Sequence, residues 1–430
     1  MIEEGFYYPN KIYGGKKMIP FEHVPARQIA DIIKRSIIGQ DGPVETVATA
    51  LSAHIDRSRY NMRLSNKENP IQTDNLLILG PTGTGKTESI RTAIRELNLP
   101  VPVIVVSVTS LSNTGYHGKN IPKILEDLAE EAHRLINKHP NYYSYYLDEN
   151  DCTIEEKEDG HKIKRINRDA VSKMVIDMCS HGIIILDEID KIRHNKNNPF
   201  EAVYAKKIQY ELLKIIEGGS GFGEDALASQ IDTSNILFIC MGAFSDLLNP
   251  PPERPAIGFS GNNDTANNNH DTNWVPTTTE LVDFGLVEEL LGRLPIRCRY
   301  NALSANNLYK ILTESAISPV YDFERLFWQT HNELIIENSA LREIAKRAYE
   351  VQTGARALRT VMGDILYSIL YDLDGVYSNH QIRITKATIN GEKPVIKPIP
   401  TPLERLQEQN PEIWEKIMKR RREREKWRKK

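Results

Sequence analysis

No apolar run in this sequence is long enough to cross a bilayer. Such a helix needs about 20 apolar residues, and the longest run here, Ile236 to Phe244, suits a buried strand. The start, Met1-Ile2-Glu3-Glu4-Gly5-Phe6, has neither the basic residues nor the apolar core of a secretion signal. Cysteine is scarce. Cys152, Cys179, Cys240 and Cys298 form no C-x-x-C pair, which excludes the usual zinc pattern and a disulfide framework. A reducing, cytoplasmic compartment is the expectation. Neither sign of charge dominates, at a net −3, so nothing global calls for nucleic acid or a membrane surface. No internal repeat is visible.

What is present is a 430-residue chain, 40% hydrophobic and 26% charged, with room for two globular domains. Its charge is uneven. From Lys416 to Lys430 ten Lys/Arg face two Glu, so this tail carries +8 and the rest −11. The tail reads as a solvated, partly helical extension that also permits contact with nucleic-acid phosphates.

The most informative stretch is Leu76-Leu77-Ile78-Leu79 followed by Gly80-Pro81-Thr82-Gly83-Thr84-Gly85-Lys86-Thr87. A short buried strand runs into a glycine-rich loop, and helical character follows to Leu97. This is the phosphate loop G-x-x-x-x-G-K-[ST] in its strand–loop–helix setting. Glycines let backbone N–H groups curl round a polyphosphate, and the helix N-terminus adds positive potential. Lys86 is expected on the β- and γ-phosphates and Thr87 on Mg²⁺, with ATP as the nucleotide.

About a hundred residues later, Ile183-Ile184-Ile185-Leu186 ends in Asp187-Glu188. A parallel strand of this kind delivers carboxylates to the edge where open α/β sheets bind ligands. One acid suits Mg²⁺ and the other the water that attacks the γ-phosphate. Val103 to Val108 reads as a strand buried on both faces, and Asn235 to Met241 as another strand. Residues 139–168 read as an insertion, a polar β-hairpin with its tip near Asp159-Gly160. Residues 248–279, rich in Pro and Asn, read as a long surface loop. Helices are expected over Leu281 to Leu291, Ala305 to Glu314, Asn338 to Tyr349 and Ala355 to Leu373, with a short strand Gln381 to Thr385.

Taken together, the phosphate loop, Asp187-Glu188, Gly292-Arg293-Leu294-Pro295 and Thr353-Gly354-Ala355-Arg356-Ala357-Leu358 resemble, in order and spacing, the AAA+ protein unfoldases of the ClpX/HslU family. The resemblance covers roughly residues 26–390 and is nearer ClpX. It implies an α/β fold, an AAA+ P-loop NTPase domain with a mostly parallel sheet, followed by a smaller helix-rich lid. The implied boundaries are an arm at 1–25, the ATPase domain at 26–300, the lid at 301–392 and a basic extension at 393–430.

Residue by residue, the resemblance implies that Ile37-Ile38-Gly39-Gln40 lie against adenine. Asp187 would hold Mg²⁺ and Glu188 would activate water. Arg293 would be an arginine finger reaching a neighbouring subunit's γ-phosphate, and Arg356 the lid's sensor-2 arginine. A finger in trans implies a ring, a hexamer as in the relatives. Gly115-Tyr116-His117-Gly118 resembles a pore loop that grips polypeptide, although the relatives carry an aliphatic residue where His117 stands. Ile257-Gly258-Phe259 resembles the loop that docks into a ClpP-like peptidase. The family's zinc-binding N-terminal domain is not seen. Val203-Tyr204-Ala205-Lys206-Lys207 departs from the second pore loop, and the basic tail belongs to neither relative. The implied function is an ATP-dependent unfoldase, with a nucleic-acid motor as the alternative.

Overall fold

The computed structural model describes residues 22–62, 70–99, 101–111, 121–138, 152–156, 162–194, 199–248, 274–373, 375–399 and 410–428. The chain divides into two compact units, Met1–Ala302 and Leu303–Lys430.

The first unit is built on a parallel sheet of β1 (Leu76–Leu79), β2 (Val103–Ser107), β5 (Ile183–Asp187), β6 (Leu237–Gly242) and β7 (Ile296–Arg299), in the order β2-β5-β6-β1-β7. Side chains alternate along a strand, and here both faces are covered. Leu76, Ile78, Ile183, Ile185, Leu237 and Ile239 pack against the helices Asp41–Asn61 and Lys86–Leu97. Leu77, Leu79, Ile184, Leu186, Phe238 and Cys240 meet the helices Lys123–Lys138 and Arg168–Ser180. Continuous aliphatic runs are what two covered faces require.

β2 departs from its expected burial. Among the described residues it pairs with β5 alone, and Val105 is 41% exposed. An all-aliphatic run cannot distinguish a sheet edge from a sheet centre. β3 (Cys152–Glu156) and β4 (Lys162–Ile166) form the expected hairpin within 139–168, antiparallel, with Glu156 opposite Lys162.

The helix expected over Leu281 to Leu291 is two helices, Thr278–Phe284 and Glu288–Gly292. The first opens with a capping box between Thr277 and Glu280. Gly285 ends it at φ +118°, where a Cβ would lie 2.6 Å from the His194 carbonyl oxygen. Only glycine fits that close left-handed turn. The second helix then stops at Arg293.

The second unit packs helices Ala305–Glu314, Pro319–Gln329, Asn338–Val351 and Arg356–Leu373 with a small sheet. β9 (His380–Ile384) pairs parallel with β8 (Glu333–Ile336) and antiparallel with β10 (Val395–Pro398). The sheet therefore runs past the expected boundary at 392. β10 was hidden in a Pro- and Lys-rich context, and it is an edge strand, where proline is tolerated. The tail is helical over Pro411–Arg428.

Candidate nucleotide site

The phosphate loop leaves the C-terminal end of β1 with three glycines at positive φ: Gly80 at +145°, Gly83 at +71° and Gly85 at +98°. A Cβ on Gly80 would lie 2.4 Å from the Tyr300 carbonyl oxygen, and one on Gly85 would lie 3.1 Å from Ile37 Cδ1. The loop is therefore wedged between two walls. Tyr300, wholly buried, holds it from behind: its hydroxyl donates to Ser89 Oγ at 2.8 Å, and Ser89 donates to the Gly85 carbonyl at 2.8 Å. Burial pushes the Tyr300 phenol well above its usual range, so it stays protonated as that donor.

Gly85 caps the helix Lys86–Leu97 without any side-chain acceptor. The first N–H groups of a helix have no intrahelical partner, and no side chain caps them here. Lys86 is buried, and its ammonium donates to the Gly80 and Pro81 carbonyls at 2.5 and 2.8 Å. A cation folded onto its own glycine loop, above an uncapped helix start, fits a polyphosphate.

β6 lies between β1 and β5, and its Met241 is in register with both Ile78 and Asp187. The Thr87 hydroxyl donates to Met241 Sδ at 3.3 Å. Thr87, in the first turn of the helix Lys86–Leu97, and Asp187, the last residue of β5, thus both neighbour Met241, and their hard oxygens suit Mg²⁺. Glu188 follows at φ +62°, a left-handed conformation that costs a non-glycine residue roughly 1–2 kcal/mol. Its own N–H donates to Asp187 Oδ1 at 2.9 Å. Its carboxylate accepts from Ser107 Oγ at 2.7 Å and Thr109 Oγ1 at 3.2 Å, both at the end of β2.

Two further groups steady this edge. Asp190 is buried and accepts from Ala243 N at 3.1 Å and Phe244 N at 3.4 Å, tying the residues after β5 to the exit of β6. Gln40 is buried, donating to the Asn301 carbonyl at 2.8 Å and accepting from Asn301 N at 2.9 Å. Both ends of its amide are committed to the fold. Ile37 is buried against Gly85, Ile38 is half-buried, and Gly39 turns the chain at φ +73°.

Arg293 is not with this group. Its carbonyl accepts from Asn75 Nδ2 at 3.1 Å, and Asn75 Oδ1 accepts from Phe238 N at 3.0 Å. Asn75 precedes β1, and Leu76 is in register with Ile296. Arg293 therefore sits at the N-terminal edge of the sheet, while Gly80–Thr87, Asp187 and Glu188 occupy the C-terminal edge. Its guanidinium pairs with Glu217 at 2.9 Å. Arg356 is the exposed first residue of the helix Arg356–Leu373 in the second unit, after Gly354 at φ +64°. Gly115-Tyr116-His117-Gly118 and Ile257-Gly258-Phe259 lie outside the described residues.

Ser107, Thr109, Asp190, Ser89, Tyr300 and Glu217 were not singled out from the sequence. Only Asp190, two residues beyond Glu188, carried a local signal.

A family model described as AAA domain (Cdc48 subfamily) matches residues 71–297, from just before β1 into β7. The ATP-dependent Clp protease ATP-binding subunit ClpX of Treponema denticola is 29% identical over 390 residues, 86% of this chain and 83% of its own length. With the phosphate loop and the acidic strand both inside a match that covers more than half of the sequence, the protein belongs to the AAA domain family of the Cdc48 subfamily and is a ClpX-like AAA+ ATPase.

Proposed function

We propose that this protein is an ATP-dependent protein unfoldase that works as a ring, a hexamer, and hands polypeptides to a ClpP-like peptidase or remodels protein complexes. The observation that carries the ring is the placement of Arg293. It stands at the sheet edge opposite its own phosphate loop, so the γ-phosphate it serves belongs to another copy.

Within one site, Lys86 and the helix N-terminus hold the polyphosphate, and Thr87 and Asp187 hold Mg²⁺. The metal, when bound, neutralises charge on the β- and γ-oxygens. Glu188, on leaving Ser107 and Thr109, takes the proton of the attacking water. Arg293 from the neighbour and Arg356 of the lid complete the charge compensation. Both lose a partner when phosphate departs, and this turns hydrolysis into motion. Ile37 and Ile38 supply an apolar wall for adenine. Tyr116, flanked by Gly115, His117 and Gly118, grips polypeptide, and Ile257-Gly258-Phe259 docks the peptidase. The chain works in a reducing cytoplasm, in keeping with the free thiols of Cys179, Cys240 and Cys298; no helix among the described residues is long and apolar enough to cross a membrane.

The test is a Glu188→Gln protein, which should bind ATP without turning it over. Native mass measurement should find an ATP-dependent hexamer, and purification from cells should recover unfolded proteins with a peptidase. Recovery of nucleic acid instead, lost on deleting Lys416–Lys430, would overturn this reading; the comparisons lend that alternative no support.

A further inference from the structure

We propose that Glu217 is a positioning residue for Arg293, holding the guanidinium by one nitrogen and leaving its other donors for the phosphate of a neighbouring copy. The inference rests on the reading of Arg293 as a residue that acts in trans.

Both ends of the pair have a fixed backbone. Arg293 closes the short helix Glu288–Gly292, with its N–H on the Leu290 carbonyl at 3.0 Å and its carbonyl on Asn75. Leu294 beside it is wholly buried. Glu217 directly follows the helix Pro199–Ile216, and its N–H donates to the Leu213 carbonyl at 2.8 Å. Behind it Gly218 turns at φ +97°, where a Cβ would lie 2.8 Å from Ser234 Oγ and 3.0 Å from Ser234 Cα. Thr233 locks the same corner by donating to the Ile215 carbonyl at 2.8 Å. Each backbone is thus held by its own bonds, so the carboxylate and the guanidinium start from defined positions.

The contact uses little of the guanidinium. Arg293 Nη2 donates to Glu217 Oε1 at 2.9 Å. Among the described residues its Nε and Nη1 donate to nothing, and the side chains remain 50% and 43% exposed. A guanidinium has five donors in a rigid plane. Anchoring one nitrogen limits where the guanidinium can go and leaves its remaining donors uncommitted among the described residues. A long flexible side chain that must meet a phosphate on another molecule gains most from such preorganisation. A pair this exposed adds little to folding stability, so its value lies in placement.

The experiment compares Arg293→Ala, Glu217→Met and Glu217→Gln in the assembled protein, reading kcat and KM for ATP, ring formation and thermal midpoint. Met keeps the length and helix preference of Glu without an acceptor. Gln keeps an oxygen for Nη2. The expected result is loss of hydrolysis in R293A and a fall of about tenfold in kcat for E217M, with KM and midpoint near wild type. E217Q should retain most of the wild-type kcat. If R293A is inactive while E217M turns over like wild type, the positioning role is wrong and the trans reading of Arg293 stands. If E217M loses its fold or its ring and E217Q is as slow as R293A, the role is equally overturned, because the accepting oxygen did not rescue it. If R293A itself hydrolyses ATP normally, the trans reading fails first.

Discussion

Ser107 Oγ donates to Glu188 Oε2 at 2.7 Å, and through this bond the edge strand β2 restrains the carboxylate that directly follows the acidic strand β5. Thr109 adds a second hydroxyl at 3.2 Å. Hydrogen bonds to a charged group are worth about 1.5–3 kcal/mol each. If Glu188 acts on water as proposed, they favour its resting position and oppose that move. The double variant Ser107→Ala/Thr109→Val should raise ATP turnover in the absence of polypeptide by up to about tenfold, equivalent to roughly 1.4 kcal/mol of barrier. A steady-state phosphate-release assay reads this directly; unchanged or lower turnover would show that the two hydroxyls do not restrain Glu188.

The phosphate loop should tolerate no side chain at its first glycine. In Gly80→Ala the new Cβ would meet the Tyr300 carbonyl oxygen at 2.4 Å, with φ at +145°. Both effects act on backbone, which has no cheap relaxation. A strained position of this kind costs about 1–3 kcal/mol, and the loop moves instead. Binding of a fluorescent ATP analogue should weaken at least about tenfold while the far-ultraviolet circular dichroism stays that of the wild type. Wild-type affinity would mean that the loop bends freely past Tyr300.

What the sequence discloses here depends on distance along the chain. The glycines of the phosphate loop and the acids after Leu186 are local patterns whose chemistry needs no distant partner. The bonds that hold them are not local. Arg293 and Glu217 are 76 residues apart, Tyr300 and Ser89 211, and Gln40 and Asn301 261. No periodicity relates such pairs. Some misses were local all the same. Ser318 caps the helix Pro319–Gln329 and proline opens it, with Val320, Phe323 and Phe327 on one buried face. That pattern was legible. β2 was misplaced for the opposite reason, because a continuous aliphatic run signals burial whether or not a strand has two neighbours.

Asp190 should matter for stability as much as for activity. Its carboxylate is 5% exposed, accepts from the N–H groups of Ala243 and Phe244, and lies against Gly242, where a Cβ would come within 2.4 Å of Oδ1. Asp190→Ala leaves two backbone donors unpaired at the exit of β6, each costing about 1–3 kcal/mol. A loss of roughly 2–5 kcal/mol in unfolding free energy by urea titration is expected. Asp190→Asn, which keeps one accepting oxygen, should recover part of it. Equal stability of the Ala variant and the wild type would refute the account.

The buried histidine pair sets a pH limit on the ATPase unit. His54 Nε2 lies 3.0 Å from the His181 carbonyl oxygen, and the two side chains are 2% and 8% exposed. Desolvation holds His54 down to about 3 and His181 to about 4, against an ordinary value of 6.5. The sign follows from where the protons go. Below 6.5 the unfolded chain binds a proton at each ring while the folded chain does not, so unfolding is favoured as the pH falls. Stability is therefore fully present above 6.5 and declines down to the folded values. The slope is roughly 1.4 kcal/mol per pH unit for each histidine. Urea midpoints measured from pH 7.5 to 5 should fall steeply, and His181→Gln should remove about half of the slope. A wild-type midpoint that stays flat over that range would mean that the two rings are already charged in the fold.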